Sequence, residues 1–263
     1  MTPIEKIKTA ARECQAPELN QVVYLDNDLP LYILGEKSPH TDCFIDVPAK
    51  AVVALGRGDF WEQNESWKGV LDHIHGTDWT DEIFDYFSSD LLKNHFPAPS
   101  SGGNLRLMCV GGACEVGNGN HRFVAGKNWL ISQHGSNAIF KKAQVSHYEL
   151  HNEIKKIFRR ALENDLSVRI SFNRINAPIQ YCIYLSGKYM HELWAWDGES
   201  LSLFKRYGWL KSFKLRLFKI NPDFGFNFNW RHLPKSVITQ MLDDDWAKEQ
   251  LSAISKPVTN PSD

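Results

Sequence analysis

The chain has 263 residues, 43% of them hydrophobic, with 30 Lys+Arg against 31 Asp+Glu. Such a composition excludes a disordered chain and holds enough apolar side chain for one large core or two small ones. No apolar run reaches the roughly 18–20 uncharged residues of a membrane helix, and the start Met1-Thr2-Pro3-Ile4-Glu5-Lys6 lacks the basic and apolar regions of a signal peptide. A soluble, cytoplasmic protein with no membrane partner is expected.

The balanced total hides an uneven distribution. Residues 1–100 carry 8 Lys+Arg and 17 Asp+Glu, whereas residues 151–220 carry 13 and 6. An acidic first third beside a basic middle fits two surfaces that face each other, or a basic surface for a polyanion. The five cysteines, Cys14, Cys43, Cys109, Cys114 and Cys182, are odd in number and show no disulfide framework. Cys109 and Cys114 have no second Cys/His pair at ligand spacing near them, which argues against zinc.

In chain order, Thr2 to Cys14 reads as a short helix behind a Thr-Pro start. Val22 to Leu25 and Leu31 to Leu34 flank Asp26-Asn27-Asp28 as a hairpin, and residues 44–48 and 51–55 read as further strands. Two helices are expected at about 62–75 and 80–95, with Thr80 as a cap, followed by a Pro/Ser/Gly-rich stretch over residues 97–104 that reads as a linker or as a mobile loop within one domain. Leu105 to Val110 reads as a strand, Arg122 to Gln133 as a helix ended by Gly135, Ala143 to Leu150 as a strand, and Asn152 to Asn164 as an amphipathic basic helix. Strands are expected at 168–172, 180–185 and 215–220, with turns at Ser186-Gly187 and Asp197-Gly198. A closing helix from Ser236 to Leu251 and a frayed tail from Ser255 complete the pattern.

Between the strand at 105–110 and the helix at 122 lies Gly111-Gly112-Ala113-Cys114-Glu115-Val116-Gly117-Asn118-Gly119-Asn120-His121-Arg122. Glycines allow a sharp turn and close ligand approach, and the first amides of a helix carry partial positive charge, so this place suits a phosphate. His121 and Arg122 add a proton donor and a guanidinium able to grip two phosphate oxygens. The pattern is neither a Walker loop nor a dinucleotide fingerprint.

The run Gly119-Asn120-His121-Arg122-Phe123-Val124-Ala125-Gly126, with a helix and then the strand around Val145, resembles the signature of the ParB/sulfiredoxin superfamily over residues 105–150. The resemblance implies an α+β fold with a mixed sheet. It also implies a nucleotide phosphate, of ATP or CTP with Mg2+, held by Gly117, Asn118, Gly119, Asn120, His121 and Arg122. Two departures stand out. Asn120 occupies the position of the reactive cysteine of sulfiredoxins, and Asn118 stands where many active members carry Asp, so it can serve neither as base nor as anionic metal ligand. Catalysis, if present, is expected to use Glu115, His121 and Arg122, with Asp46, Asp59 and Glu62 as further carboxylate candidates.

Two other groups of residues invite a reading. His73/His75 and His147/His151 have same-face spacings but lie in no metal signature, and are expected to be surface or boundary residues. Residues 155–219 mix thirteen cations with many aromatics, and Lys205, Arg206, Lys211, Lys214 and Arg216 are the candidates for nucleic-acid contact. No Gly-x-Ser-x-Gly elbow or cysteine nucleophile context is present.

The organisation expected is an acidic extension plus a ParB/sulfiredoxin-like module over 1–150, a basic aromatic-rich part over 151–254, and a flexible tail over 255–263. The function expected is nucleotide binding at or on DNA, with nucleoside triphosphatase or nuclease activity. The alternatives are a non-catalytic regulator or inhibitor acting on a protein partner, or a small-molecule kinase, either of them with homodimerisation open.

Overall fold

Thr2 starts helix α1 (Pro3–Glu13) as the sequence implies: its hydroxyl accepts from the Glu5 amide while the Glu5 carboxylate accepts from the Thr2 amide at 2.6 Å. Ile4, Ile7 and Ala11 then fall on one buried stripe. The computed structural model describes residues 1–25, 30–37, 43–99, 101–173, 180–208, 210–211 and 230–254. The strand candidate at 215–220 and the tail therefore lie outside the described residues, as do Lys214 and Arg216.

The first hairpin is not formed. Only Tyr24–Leu25 is strand (β1), and Leu31–Leu34 is a 3-10 turn. Leu31 and Leu34, three apart, are both fully buried, which suits a three-residue repeat and not the two-residue alternation of a strand. After β2 (Gly35–Lys37), β3 (Cys43–Pro48) and β4 (Val52–Leu55), the two helices of the Trp-rich region are shorter than their patterns suggest: α2 is Trp67–Asp72 and α3 is Glu82–Ser88. The Ser66 hydroxyl caps α2 by accepting from the Gly69 amide. Thr80 does not cap α3; its hydroxyl lies instead against the Glu82 carboxylate at 3.5 Å.

The Gly-rich stretch is two structures. Strand β5 (Arg106–Val110) returns through Gly111-Gly112 into β6 (Ala113–Asn118), and α4 (Asn120–His134) follows after Gly119. Gly111-Gly112 thus serve packing, not ligand binding. A Cβ at Gly112 would lie 1.9 Å from the Asp243 carbonyl oxygen, and the Gly112 amide donates to the Met241 carbonyl. One disulfide is present where the cysteine spacing suggests no framework. Cys109 and Cys114 are cross-strand partners of this hairpin, both fully buried and joined as a disulfide, leaving Cys14, Cys43 and Cys182 free.

The remaining elements are β7 (Ile139–Leu150), α5 (Asn152–Glu163), β8 (Ser167–Asn173), β9 (Gln180–Ser186), β10 (His191–Trp196), β11 (Leu201–Tyr207), β12 (Arg231–Leu233), α6 (Lys235–Leu242) and α7 (Asp245–Ile254). The turns at 186–187 and 197–198 join β9, β10 and β11 into a meander, although β10 and β11 are not legible as strands in advance. The single closing helix is broken in two, between α6 and α7.

The architecture is α+β. One mixed sheet runs β1-β4-β6-β5-β7-β2, with β3 also on β7; a second, antiparallel sheet runs β11-β10-β9-β8-β12. On the first sheet Leu107, Cys109, Cys114 and Val116 face a core closed by α1 to α4, while Val110 and Ala113 face a second core. That second core is completed by α5, α6 and residues of β8, β9 and β10, so the division at residue 150 runs through packed side chains.

Helix α4 lies deepest. Lys127 is fully buried in it, donating to the Val52 carbonyl with its ammonium 4.1 Å from the centre of the Trp67 ring. Asn128, also fully buried, donates to the Trp67 carbonyl at 3.1 Å. Burial pushes the Lys127 amine from 10.5 down to about 7. Between these values the unfolded chain keeps a proton that the native state has lost, so stability rises with pH across that window and is flat below it. Lys127→Met is expected to be more stable near neutral pH by about 1–4 kcal/mol and to lose that rise. Chemical denaturation between neutral pH and the lysine range checks this, and an unchanged slope in the variant would contradict it.

Candidate functional site

At the carboxyl end of β6 the chain reverses through Gly119, which has φ 86° and stands at the cap position of α4. No side-chain cap bonds the first turn of α4, and the residues of that turn line a cavity of about 440 Å3. Gly117, Asn118, Gly119, Asn120, His121 and Arg122 all line it, so the six residues expected to hold phosphate are brought together. Gly56 and Arg57 form the facing side, and Trp79, Ser101 and Gly102 close the rest.

Each polar group has a definable role. The Asn118 side-chain amide donates to the Asn104 carbonyl at 2.8 Å, tying the 101–104 loop to β6. The buried Oδ1 of Asn120 has no hydrogen-bond partner among the described residues; its carboxamide can offer an acceptor or, turned over, two donors. His121, exposed to solvent on its outer side, packs edge-on against Phe60, ring centres 4.3 Å apart. Burial, aided by the Arg57 charge, holds its imidazole below the ordinary histidine range, and Asp59 pulls the other way. His121 is therefore largely neutral at neutral pH and able to accept a proton.

Arg122 works differently from the sequence expectation. It is 6% exposed, and its guanidinium donates to the Gly103 carbonyl at 2.9 Å and the Gly102 carbonyl at 3.1 Å, with Phe96 beneath it at 5.6 Å. It builds the cavity wall by fixing the residue 101–104 loop. The cation with room to meet a ligand is Arg57, whose guanidinium is held in two hydrogen bonds by Asp59, both 2.7 Å. Arg57 has no signal in the motif; Gly56-Arg57-Gly58 at the end of a strand is the only hint the sequence carries.

The carboxylate candidates do not gather. Glu115 is 1% exposed on the face of β6 opposite α4, where it accepts from the Leu31 amide at 3.3 Å, and it does not line the cavity. The reason is alternation: Cys114 and Val116 point toward α4, so Glu115 must point away. Asp46 accepts from the Lys142 amide on another part of the sheet, and Glu62 sits in the turn that precedes α2. Asp59 alone stands beside the motif, through Arg57 and His121.

Among the described residues no group of three or more His, Cys, Asp or Glu could hold a metal ion. His73 pairs with Glu65, His147 bonds the Gly111 carbonyl, and His151 faces Glu36. In the basic part, Arg206 donates to the buried Glu192 at 2.7 Å, with Arg160 on the other carboxylate oxygen. Lys205 and Lys211 lie 5.4 and 4.5 Å from the centre of the Tyr207 ring, and Phe204 on the same strand is 55% exposed. No helix among the described residues is long and apolar enough to cross a membrane. Comparison of the chain with protein families, with curated proteins and with solved structures finds no match.

If Arg122 fixes the wall, Arg122→Ala should cost about 2–4 kcal/mol and open residues 101–104 to proteases, whereas His121→Ala should change stability by under about 1 kcal/mol. Arg122→Lys should not restore the wall, because an ammonium cannot reproduce the guanidinium fork. Thermal denaturation with limited proteolysis reads both effects. An Arg122→Ala protein as stable and as resistant as wild type would overturn the assignment.

Proposed function

We propose that this chain is a nucleotide-binding protein whose cavity at the start of α4 holds the phosphates of ATP or CTP. The observation that carries the reading is the convergence of residues 117–122 on a single cavity of about 440 Å3, at the positive end of a buried helix and facing Arg57. The resemblance of Gly119-Asn120-His121-Arg122 to the ParB/sulfiredoxin signature supports it, as does the order strand, helix, strand of β6, α4 and β7. Phosphate oxygens would take the amides of Asn120, His121 and Arg122, with the imidazole and Arg57 adding charge from the sides.

A resident magnesium ion does not fit the donor set. None of the described cavity-lining residues is a carboxylate, and Asp59 is held by both hydrogen bonds from Arg57. This favours the reading of a regulator that senses nucleotide without consuming it. A hydrolytic reading, triphosphatase or nuclease, has a single observation in its favour, the neutral imidazole of His121 beside Asp59, which is placed to take a proton from water.

Action at DNA rests on Lys205 and Lys211 flanking Tyr207, with Phe204 exposed on the edge strand β11. Filter binding of duplex DNA over a range of salt tests that arm, and absent or salt-independent binding contradicts it.

Titration calorimetry with ATP and CTP tests the main reading. Wild type should bind, and Asn120→Asp should weaken binding at least tenfold, because a carboxylate at the first helical position repels phosphate while stabilising the helix itself. Unchanged affinity in Asn120→Asp, or no binding by wild type, would refute the reading. Phosphate release that His121→Ala abolishes would establish the hydrolytic version; none from wild type would leave the regulator.

A further inference from the structure

His121 and Trp79 line a second cavity as well as the first. It measures about 240 Å3 and is formed by the segment from His73 to Trp79 with His121 as the shared partition. Ligand pockets commonly run about 300–1,000 Å3, so the second cavity is small for a whole ligand and suits one ring of a ligand anchored next door.

Its lining differs in kind from that of the first cavity. Trp79 and His121 line both; the first adds the start of α4 and Arg57 and no carboxylate, whereas the second adds His75, Thr77 and Asp78. Phosphate is favoured in the first and repelled by Asp78 in the second. A flat heterocycle carrying an amino group is favoured in the second, where rings can stack on it and a carboxylate can accept its hydrogen bond. The local backbone is arranged for this. Gly76 has φ 55°, and a Cβ there would lie 3.0 Å from the Trp79 ring, so the turn brings the indole against the loop and beside Phe96 at 5.1 Å.

We infer that the second cavity is the base subsite of the same ligand: an amino-bearing nucleobase lies against Trp79 and His121 with its amine toward Asp78, while its phosphates extend into the cavity at the start of α4. This deepens the nucleotide-binding reading and rests on it. The two adjoining cavities, which share Trp79 and His121 and differ in charge, set the direction in which the ligand lies.

Calorimetry with ATP, CTP, UTP and inorganic tripolyphosphate separates the two claims. Wild type should bind ATP or CTP at least tenfold more tightly than tripolyphosphate, although tripolyphosphate carries no less charge. Trp79→Leu should remove that advantage; Asp78→Ala, at a residue that lines only the second cavity, should narrow the preference for ATP and CTP over UTP without weakening tripolyphosphate binding. Equal affinity of wild type for tripolyphosphate and nucleotide would overturn the base subsite and leave the phosphate site standing. Failure of all four to bind would remove both. Should Trp79→Leu fail to fold by circular dichroism, the exposed Asp78→Ala variant decides, and an unaltered preference there contradicts the proposal.

Discussion

Gly119 has φ 86°, and a Cβ at that position would meet a methyl of Leu105 at 2.4 Å and the guanidinium of Arg122 at just over 3 Å. The chain can pass from β6 into α4 at this angle only because the position has no side chain. The placement of residues 117–122 in the site follows from the turn. That turn places the start of α4 against the cavity at the carboxyl end of β6, brings His121 to the lining of both cavities, and sends the Arg122 side chain back beneath the 101–104 loop.

The rest of α4 holds that start in place. A helix with Phe123, Val124, Ala125, Lys127, Asn128, Leu130 and Ile131 all buried cannot rotate or slide without opening the core. Lys127 and Asn128 pin it further, to the carbonyls of Val52 and Trp67. Preorganisation of this kind lets a small cluster of dipoles bind an anion, because the donors are ordered before the ligand arrives. The charge arrangement is economical: the guanidinium inside the motif is structural, and the guanidinium that faces the cavity comes from the end of β4, oriented by Asp59.

How much of this the sequence discloses depends on the range of the forces involved. Helices α1, α4 and α5 and strands β5 and β7 to β9 are legible because their apolar periods and caps are local. The cavity-lining residues 117–122 are legible for the same reason, since a Gly turn and a helix start are neighbours in the chain. Missed features are set by distant partners. Gly111-Gly112 resembles part of the ligand turn until the carbonyls of Met241 and Asp243 are seen to require the space. The direction of Glu115 depends on where β6 begins, and a strand starting one residue earlier or later would reverse it. Arg57 and the His73–Trp79 segment reach the site only through sheet order and the packing of α2, which no local pattern encodes.

The central claim is that the amides opening α4, which no side-chain cap occupies among the described residues, receive phosphate, and backbone 1H–15N resonances read those amides directly. Titration with tripolyphosphate should move the resonances of Asn120, His121 and Arg122 first and furthest, saturating together, with Gly56 and Arg57 following. Shifts confined to the basic strands β8 to β11, or spread evenly over surface lysines, with the three amides unmoved, would contradict the account.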